Sequence, residues 1–297
     1  MSEVAADQTA VNLNDWVGRS ETVTDQITPT PYAALSAMLD RAPERPAVGA
    51  ELPGLWHWLY FLPLHRQSEI GPDGHARRGG FLPPVPLPRR MWAGSQFRFH
   101  APLRVGDTIT RRSTIERVDQ KTGRSGALVF VRVRHDIHVG ETVDTPAALT
   151  EFHDIVYRDG PRPQDVAAPP VAAPLVDAAH GAWSHEWVPD DVLLFRYSAL
   201  TFNGHRIHYD RRYVTETEGY PGLIVHGPLI ATLLVDGLRH QHPLARLSRF
   251  EFRAMRPIFD IHRFNICGAP QPDGKTFRLW ASDHEGALAM DATAVIV

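Results

Sequence analysis

The chain has 297 residues, enough for one large domain or two of about 150. An apolar fraction of 43% and a charged fraction of 22% are those of a globular protein, and a net charge of −3 offers no basic excess for nucleic acid or an anionic membrane. Cys267 is the single cysteine, which excludes an internal disulfide and a cysteine-based metal cluster. The start, Met1 to Ala10, carries acids and no apolar run, and no stretch gives 18 or more uncharged apolar residues. Neither a signal peptide nor a membrane span is expected, and a cytoplasmic protein is the default. Only Lys121 and Lys275 are lysines among 31 basic residues, the rest being arginines. Base-composition bias accounts for that, although the forked guanidinium also suits phosphate and carboxylate.

In chain order, the first informative phrase is Pro53-Gly54-Leu55. An apolar stretch with Trp56, His57 and Trp58 follows and is read as a core helix. Next come Gly71-Pro-Asp-Gly-His and the run Gly79 to Pro88, too rich in turn residues for regular structure. That loop ends in Arg89-Arg90, read either as solvated surface or as donors for a substrate or CoA anion. Strands are expected at Gln96–His100, Thr108–Val118, Ala127–Ile137 and Ala147–Tyr157, with a hairpin turn over Asp119–Gly123. Asp159 to Ala182 holds five prolines and little periodicity, the composition of an extended linker. Beyond it, Pro221-Gly222-Leu223 precedes a helix over Pro228–Leu238, then strands at Ser248–Arg253, Arg263–Cys267, Thr276–Ser282 and Ala287–Val297. The expected domains are 1–158, the linker 159–182, and 183–297.

The halves repeat each other. Pro53-Gly54-Leu55 recurs as Pro221-Gly222-Leu223 at an offset of 168, and Gln96 to Ala101 resembles Arg249 to Ala254 at an offset of 153. The shortfall places about fifteen extra residues in the first half, where the stretch Gly71 to Arg90 can accommodate them. Strands in succession with no helix between them give an antiparallel sheet. The helix at 228–238 is apolar on nearly every face, so it belongs inside something. An α+β double hotdog follows, two antiparallel sheets each wrapped around a central helix.

The segments FRYSALTFNGHRIHYD (195–210) and YPGLIVHGPL (220–229) carry the chemistry. They resemble the MaoC-type, (R)-specific enoyl-CoA hydratase family, whose motif runs roughly Ser-Gly-Asp-x-Asn-Pro-Ile-His and continues to a His-Gly at the head of the hotdog helix. On that pattern Thr201 takes the serine place, Phe202 the glycine, Asn203 the catalytic aspartate and His208 the catalytic histidine. His226-Gly227 matches the helix-head His-Gly. GGFLPPVPLPRRMWAG (79–94), together with 195–210, resembles a subgroup of fused double-hotdog hydratases acting on itaconyl-CoA and mesaconyl-CoA.

The resemblance implies a hydro-lyase acting across the 2,3 double bond of an acyl-CoA, with no cofactor and no metal. His208 would carry the proton, and the Gly227 amide would face the thioester oxygen. Asn203 is an amide and can only orient; it is equally a turn-former before Gly204. His205 and His226 are candidates for substrate contact, and Tyr197 is either core or ligand-facing. His205 and His208 lack a third ligand at metal spacing. The first half has no Asn/Asp-x4-His between Trp16 and Leu52, so one working site per chain is expected. Two other readings stay open, a hotdog acyl-CoA thioesterase and a non-catalytic acyl-CoA carrier, as does assembly into a homodimer or higher homo-oligomer.

Overall fold

Ten strands pair antiparallel throughout to make one continuous sheet. The computed structural model describes residues 12–42, 45–123, 126–159 and 170–297. The first half contributes β1 (Ser20–Gln26), α1 (Pro29–Met38), β2 (Arg89–Phe99), β3 (Thr108–Gly123), β4 (Gly126–Val139) and β5 (Leu149–Arg158). The second contributes β6 (Trp183–Trp187), α2 (Asp191–Leu200), α3 (Gly227–Gln241), β7 (Leu247–Ala254), β8 (Phe264–Pro270), β9 (Thr276–Ser282) and β10 (Leu288–Ile296). Of the expected linker, 160–169 lies outside the described residues.

The strand order is β1-β3-β4-β5-β2-β7-β10-β9-β8-β6, the same topology read twice from its two ends. The seam is β2 against β7. Phe97, matched to Phe250 by the sequence repeat, lies directly opposite it in the ladder, and Arg98 lies opposite Arg249. The repeat's pseudo-twofold axis therefore passes through the Phe97–Phe250 pair. This is a double hotdog in which the two sheets have fused into one.

α3 is the buried helix the sequence called for. Leu229, Ile230, Leu233, Leu234, Val235 and Leu238 are all buried on it, and it packs on β8 and β9. Each such side chain stabilises the fold by about 1.5–3 kcal/mol. Pro228 occupies the first turn, where its missing N–H costs no helix bond.

The first half corrects the expectation of a second central helix. After Pro53-Gly54-Leu55 there is only a 3-10 turn, Trp56–Leu59. Pro63 lies too close downstream: in a continuing helix its ring would meet the carbonyl four residues back, and a shorter piece would be marginal. The inserted loop does part of the missing helix's work. Its Val85 and Leu87 are buried against Ile115, Val129, Val131, Val133 and Ile155 of the sheet, with Phe81 and Leu82 packed beside them. The apolar face of β3–β5 is thus covered by chain that is not helical.

Two further differences bear on the site. β1 and β6 had no sequence signal because both are edge strands with mostly exposed side chains. β2 begins at Arg89, seven residues earlier than expected, so Arg89 and Arg90 belong to a strand and not to a loop end. Adjacent strand residues point to opposite faces. The two arginines therefore have different surroundings.

Candidate active site

α2 delivers the motif. Asp190 caps its start, its carboxylate accepting the Leu193 amide at 2.8 Å. The helix ends at Thr201, Phe202 turns left-handed at φ 49°, and the Asn203 amide closes back on the Ser198 carbonyl at 2.8 Å. This is the bond pattern that ends many helices, and glycine is the residue that adopts the left-handed position without strain. The family's glycine at this position is thereby explained, and Phe202 holds the same backbone at some cost.

Asn203 is half-buried, and its side-chain oxygen accepts the His205 amide at 3.0 Å. The residue on the family's aspartate position thus folds its acceptor into its own turn. Five residues on, His208 is buried in a 3-10 turn. Its Nδ1 lies 2.7 Å from the Ile224 carbonyl oxygen, which can only accept, so Nδ1 carries the hydrogen and Nε2 keeps its lone pair. Burial pushes the imidazole down to about 4, against the opposing pull of the Ile224 carbonyl. At neutral pH His208 is an uncharged acceptor at Nε2.

His226 backs it. The two rings stack at 3.7 Å between centroids and 17° between planes, and Nε2 of His226 meets the Ser198 hydroxyl at 2.8 Å. His226 is fully buried, and burial drives its basicity far down, with His208 and His205 adding to the effect. Tyr197 is also buried, edge-on to His226 at 5.0 Å. Tyr197 and His226 are therefore packing behind His208 in this structure. Gly227 follows His226 at the first position of α3, where a helix amide has no intrahelical acceptor. A Cβ built there would meet nothing within 4 Å, so the space beside its Cα is open.

The inserted loop of the first half reaches this motif. The Asp73 carbonyl accepts the Arg206 amide at 2.9 Å, and the Pro72 carbonyl accepts an Arg206 guanidinium N–H at 3.0 Å. Two glycines allow the contact. A Cβ on Gly74, whose φ is +89°, would lie 1.8 Å from the Gly204 carbonyl oxygen, and one on Gly204 would lie 2.8 Å from that of Gly74. Docking places His75 against His205 at 4.0 Å between centroids, and His205 stands edge-on to His208 at 5.4 Å. Four imidazoles thus run in a row: His75, His205, His208, His226.

Asp73 closes the outer end of the row, its carboxylate 3.2 Å from His75 Nδ1. Burial pulls the Asp73 carboxyl up, but the hydrogen bond and charge of His75, with His205 behind, outweigh it and hold the group well below the usual carboxylate range. His205 is pushed down to about 2, first by burial, then by His75 and His208. Burial lowers His75 too, with Asp73 pulling back and Arg90 and Arg78 pressing further down.

Asp73, His75 and His205 bring ligand-type atoms within 4.8 Å of one another, a grouping their sequence spacing concealed. The expectation that the histidines form no metal set was drawn from His205 and His208 alone. Folding does supply the further donors, yet Arg90 acts on the charge of both His75 and His205, and a fixed cation there opposes a metal ion. The cluster fits a hydrogen-bonded set better than a metal centre.

Arg89 and Arg90 part company as strand alternation requires. Arg89 donates to the Glu218 carbonyl at 2.8 Å, pairs with the Glu218 carboxylate at 3.4 Å and lies over the Tyr220 ring at 5.1 Å. Its fork is committed to tying the two halves together. Arg90 is half-buried and near enough to act on the protonation of His75, His205, His153 and Tyr157, and among the described residues no carboxylate lies within ion-pair distance of it. A groove of about 470 Å³ is lined by other side chains, including Gln96, Arg132, Asp154 and Arg253, and takes in none of the motif residues.

Residues 55–260 match the family model described as hydroxyacyl-thioester dehydratase type 2. The chain belongs to that family. It is 45% identical to the mesaconyl-C(4)-CoA hydratase of Chloroflexus aurantiacus over 94% of this chain and 95% of that one. A solved structure described as a MaoC-like dehydratase superposes with a TM-score of 0.70 at 12% identity, covering 96% of this chain and 99% of that one. A Mycobacterium tuberculosis protein described as having a double hotdog fold gives a TM-score of 0.57 at 14% identity, covering 95% and 96%. The activity that goes with the family is this chain's as well: it is a hydratase/dehydratase, a hydro-lyase acting on an acyl-CoA thioester.

Proposed function

We propose that the chain adds water to, and removes it from, an enoyl-CoA that carries a carboxylate on its β-carbon, as mesaconyl-C(4)-CoA does. His208 is the proton carrier, and its geometry carries the reading: Nδ1 is tied to the Ile224 carbonyl and Nε2 is an uncharged acceptor. As the water oxygen bonds to the β-carbon, one of its protons passes to Nε2. The π electrons move toward the thioester oxygen, which the Gly227 amide, without an intrahelical acceptor at the head of α3, can receive. The imidazolium then returns its proton to the α-carbon from the same face. A positioned acid/base supplies roughly 10²–10⁴ in rate, and an oxyanion donor about 10²–10³.

Arg90 supports the substrate class. It is a half-buried cation beside the histidine row with no carboxylate of the described chain paired to it. An anionic β-substituent would supply that partner, and a charge-assisted bond of this kind is among the stronger polar contacts. The 45% identity to a mesaconyl-C(4)-CoA hydratase points the same way.

Mesaconyl-C(4)-CoA, itaconyl-CoA and crotonyl-CoA assayed side by side test the reading, with enoyl-thioester absorbance and free thiol followed together. The expected result is loss of absorbance without thiol release, fastest on mesaconyl-C(4)-CoA, and a preference over crotonyl-CoA that Arg90→Ala abolishes. Thiol release would make the protein a thioesterase. An Arg90→Ala variant that keeps its preference would remove the arginine from the argument.

A further inference from the structure

The family's motif places an aspartate where this chain has Asn203, and Asn203 turns its acceptor oxygen into the His205 amide. A hydratase that lacks a carboxylate at that point must hold the attacking water in another way. Among the described residues, one carboxylate reaches the row of four imidazoles, and it comes from the other half of the molecule. Asp73 lies 3.2 Å from His75 Nδ1, on a loop whose backbone docks through Arg206 onto the motif itself.

We propose that Asp73 and His75 form a carboxylate–imidazole pair that holds the attacking water, in place of the carboxylate missing at Asn203. This rests on the hydratase reading above and assigns a further site to it. Asp73 accepts the Nδ1 hydrogen of His75 and so leaves the Nε2 lone pair facing away from the carboxylate. That lone pair accepts one O–H of the water, while the other O–H points to Nε2 of His208. During addition the oxygen–hydrogen bond on the His208 side breaks, and the oxygen bonds to the β-carbon. The hydrogen held by His75 stays on oxygen and becomes that of the product hydroxyl. His75 thus touches a reacting atom. Asp73 acts through it, fixing its tautomer and orientation as the buried carboxylate of a hydrolase triad does.

Three observations carry the assignment beyond a chance surface contact. The approach of the loop demands glycine on both sides, since a Cβ at Gly74 would fall 1.8 Å from the Gly204 oxygen. His75 is in ring contact with His205, which stands edge-on to His208 at 5.4 Å. Asp73 makes its short side-chain contacts to His75 alone, accepting the ring Nδ1 and, at 3.0 Å, the His75 amide.

The test measures kcat, KM, pH–rate profile and melting temperature for the parent, Asp73→Asn, His75→Ala, Asn203→Asp and the double variant Asp73→Asn with Asn203→Asp. The substrate is whichever acyl-CoA the parent hydrates fastest, after treatment with a chelator. Both single loop variants should lose 10- to 100-fold in kcat with KM within about threefold and melting temperature near the parent's. The acid limb of the Asp73→Asn profile should move to lower pH, because its imidazole loses the carboxylate that stabilises the proton. Restoring a carboxylate in the double variant should recover part of the lost kcat. Folded Asp73→Asn and His75→Ala proteins with kcat within threefold of the parent's overturn the proposal. So does a loss that tracks KM or melting temperature with the pH limb unmoved, which marks a structural role. Activity abolished by the chelator and restored by Zn²⁺ would make the cluster a metal site instead. A parent that hydrates no acyl-CoA in the panel overturns the hydratase reading, and the pair's role with it; an active parent with unaffected variants overturns the pair alone.

Discussion

The two halves end their first helices identically and then use the result differently. In the first, Asp40 turns left-handed at φ 54° and the Arg41 amide closes on the Ser36 carbonyl at 2.9 Å; in the second, Phe202 turns at φ 49° and Asn203 closes on Ser198 at 2.8 Å. Arg41 is thus the counterpart of Asn203, at an offset of 162 instead of the 168 taken from the Pro-Gly-Leu repeat. Its guanidinium runs to Asp236 on α3, with contacts of 2.7–2.8 Å. The second half instead continues to His205 and His208. At the helix head the contrast repeats: Trp58 stands where the 168 offset places His226, and its indole N–H donates to Glu151 at 3.2 Å. A shared backbone turn is therefore compatible with a site or with a structural tie, and the side chains decide which.

The interiors differ in the same sense. Opposite Phe250, β10 carries Ala294; opposite Phe97, β5 carries Glu151. That carboxylate is buried and accepts from His57, Trp58 and Ser95 at 3.1–3.2 Å. Burial pulls it up, but His57, His135 and His153 outweigh this and hold it at about 2. The half that lost its helix thus holds a buried charged network where the other is packed with α3. It also gives its extra chain to the neighbour's site.

The largest effect that sharpens this contrast is at His208. His208→Ala should lower kcat by roughly 10²–10⁴ in a folded protein, whereas the largest loss expected of a first-half histidine, 10- to 100-fold at His75, stays at or below the bottom of that range. A folded variant with a third of its activity left would dismiss His208 as proton carrier.

Glu151→Ala should instead act on stability, by about 3–5 kcal/mol in denaturant melts, since it removes the carboxylate from a buried polar network. This network, together with the buried His208, makes the molecule acid-sensitive in two windows. His135 is pushed down to about 3 and His153 and His208 to about 4, in each case chiefly by burial. Their folded values lie below the unfolded 6.5, so the unfolded chain binds more protons and stability falls as pH drops from about 6.5 toward 4. Glu151, lowered to about 2, adds a loss only below its unfolded value near 4.5. A melting temperature that is flat between pH 7 and 4.5 would contradict the buried neutral histidines.

Gly74→Ala tests whether the first half's loop serves the second half's site. The added methyl cannot fit against the Gly204 oxygen, so the loop must lift. Turnover should fall about tenfold or more while the sheet stays folded by circular dichroism. Unchanged kinetics would mean that the loop is not needed where it docks.

Phe202→Gly should have the smallest effect. The left-handed backbone costs an ordinary residue roughly 1–2 kcal/mol, and glycine gives back about 0.5–1 in chain entropy. Phe202 is 54% exposed, so stability should stay level or rise by up to about 1 kcal/mol. A clear loss in a urea titration would mean that the ring packs on something that matters.

What the sequence determined on its own was whatever is local in the chain or periodic along it. That His208, His226 and Gly227 come together was legible because the motif is nearly contiguous and its spacing is set by one helix end and the next helix start. The buried helix and eight of the ten strands followed from apolar periodicity; the Phe97/Phe250 repeat was visible too, but the fold decided that those two strands pair as the seam. The edge strands escaped because exposed strands carry no alternation. Tertiary structure decided what depends on chains meeting. It replaced the first half's helix with a turn and a covering loop, turned Arg89 toward Glu218 and Arg90 toward the histidines, and carried Asp73 and His75 across some 130 residues of sequence to His205. The phrase Asp73-Gly74-His75 reads as a turn in any sequence. Only the close approach of two glycine backbones brings it against the motif.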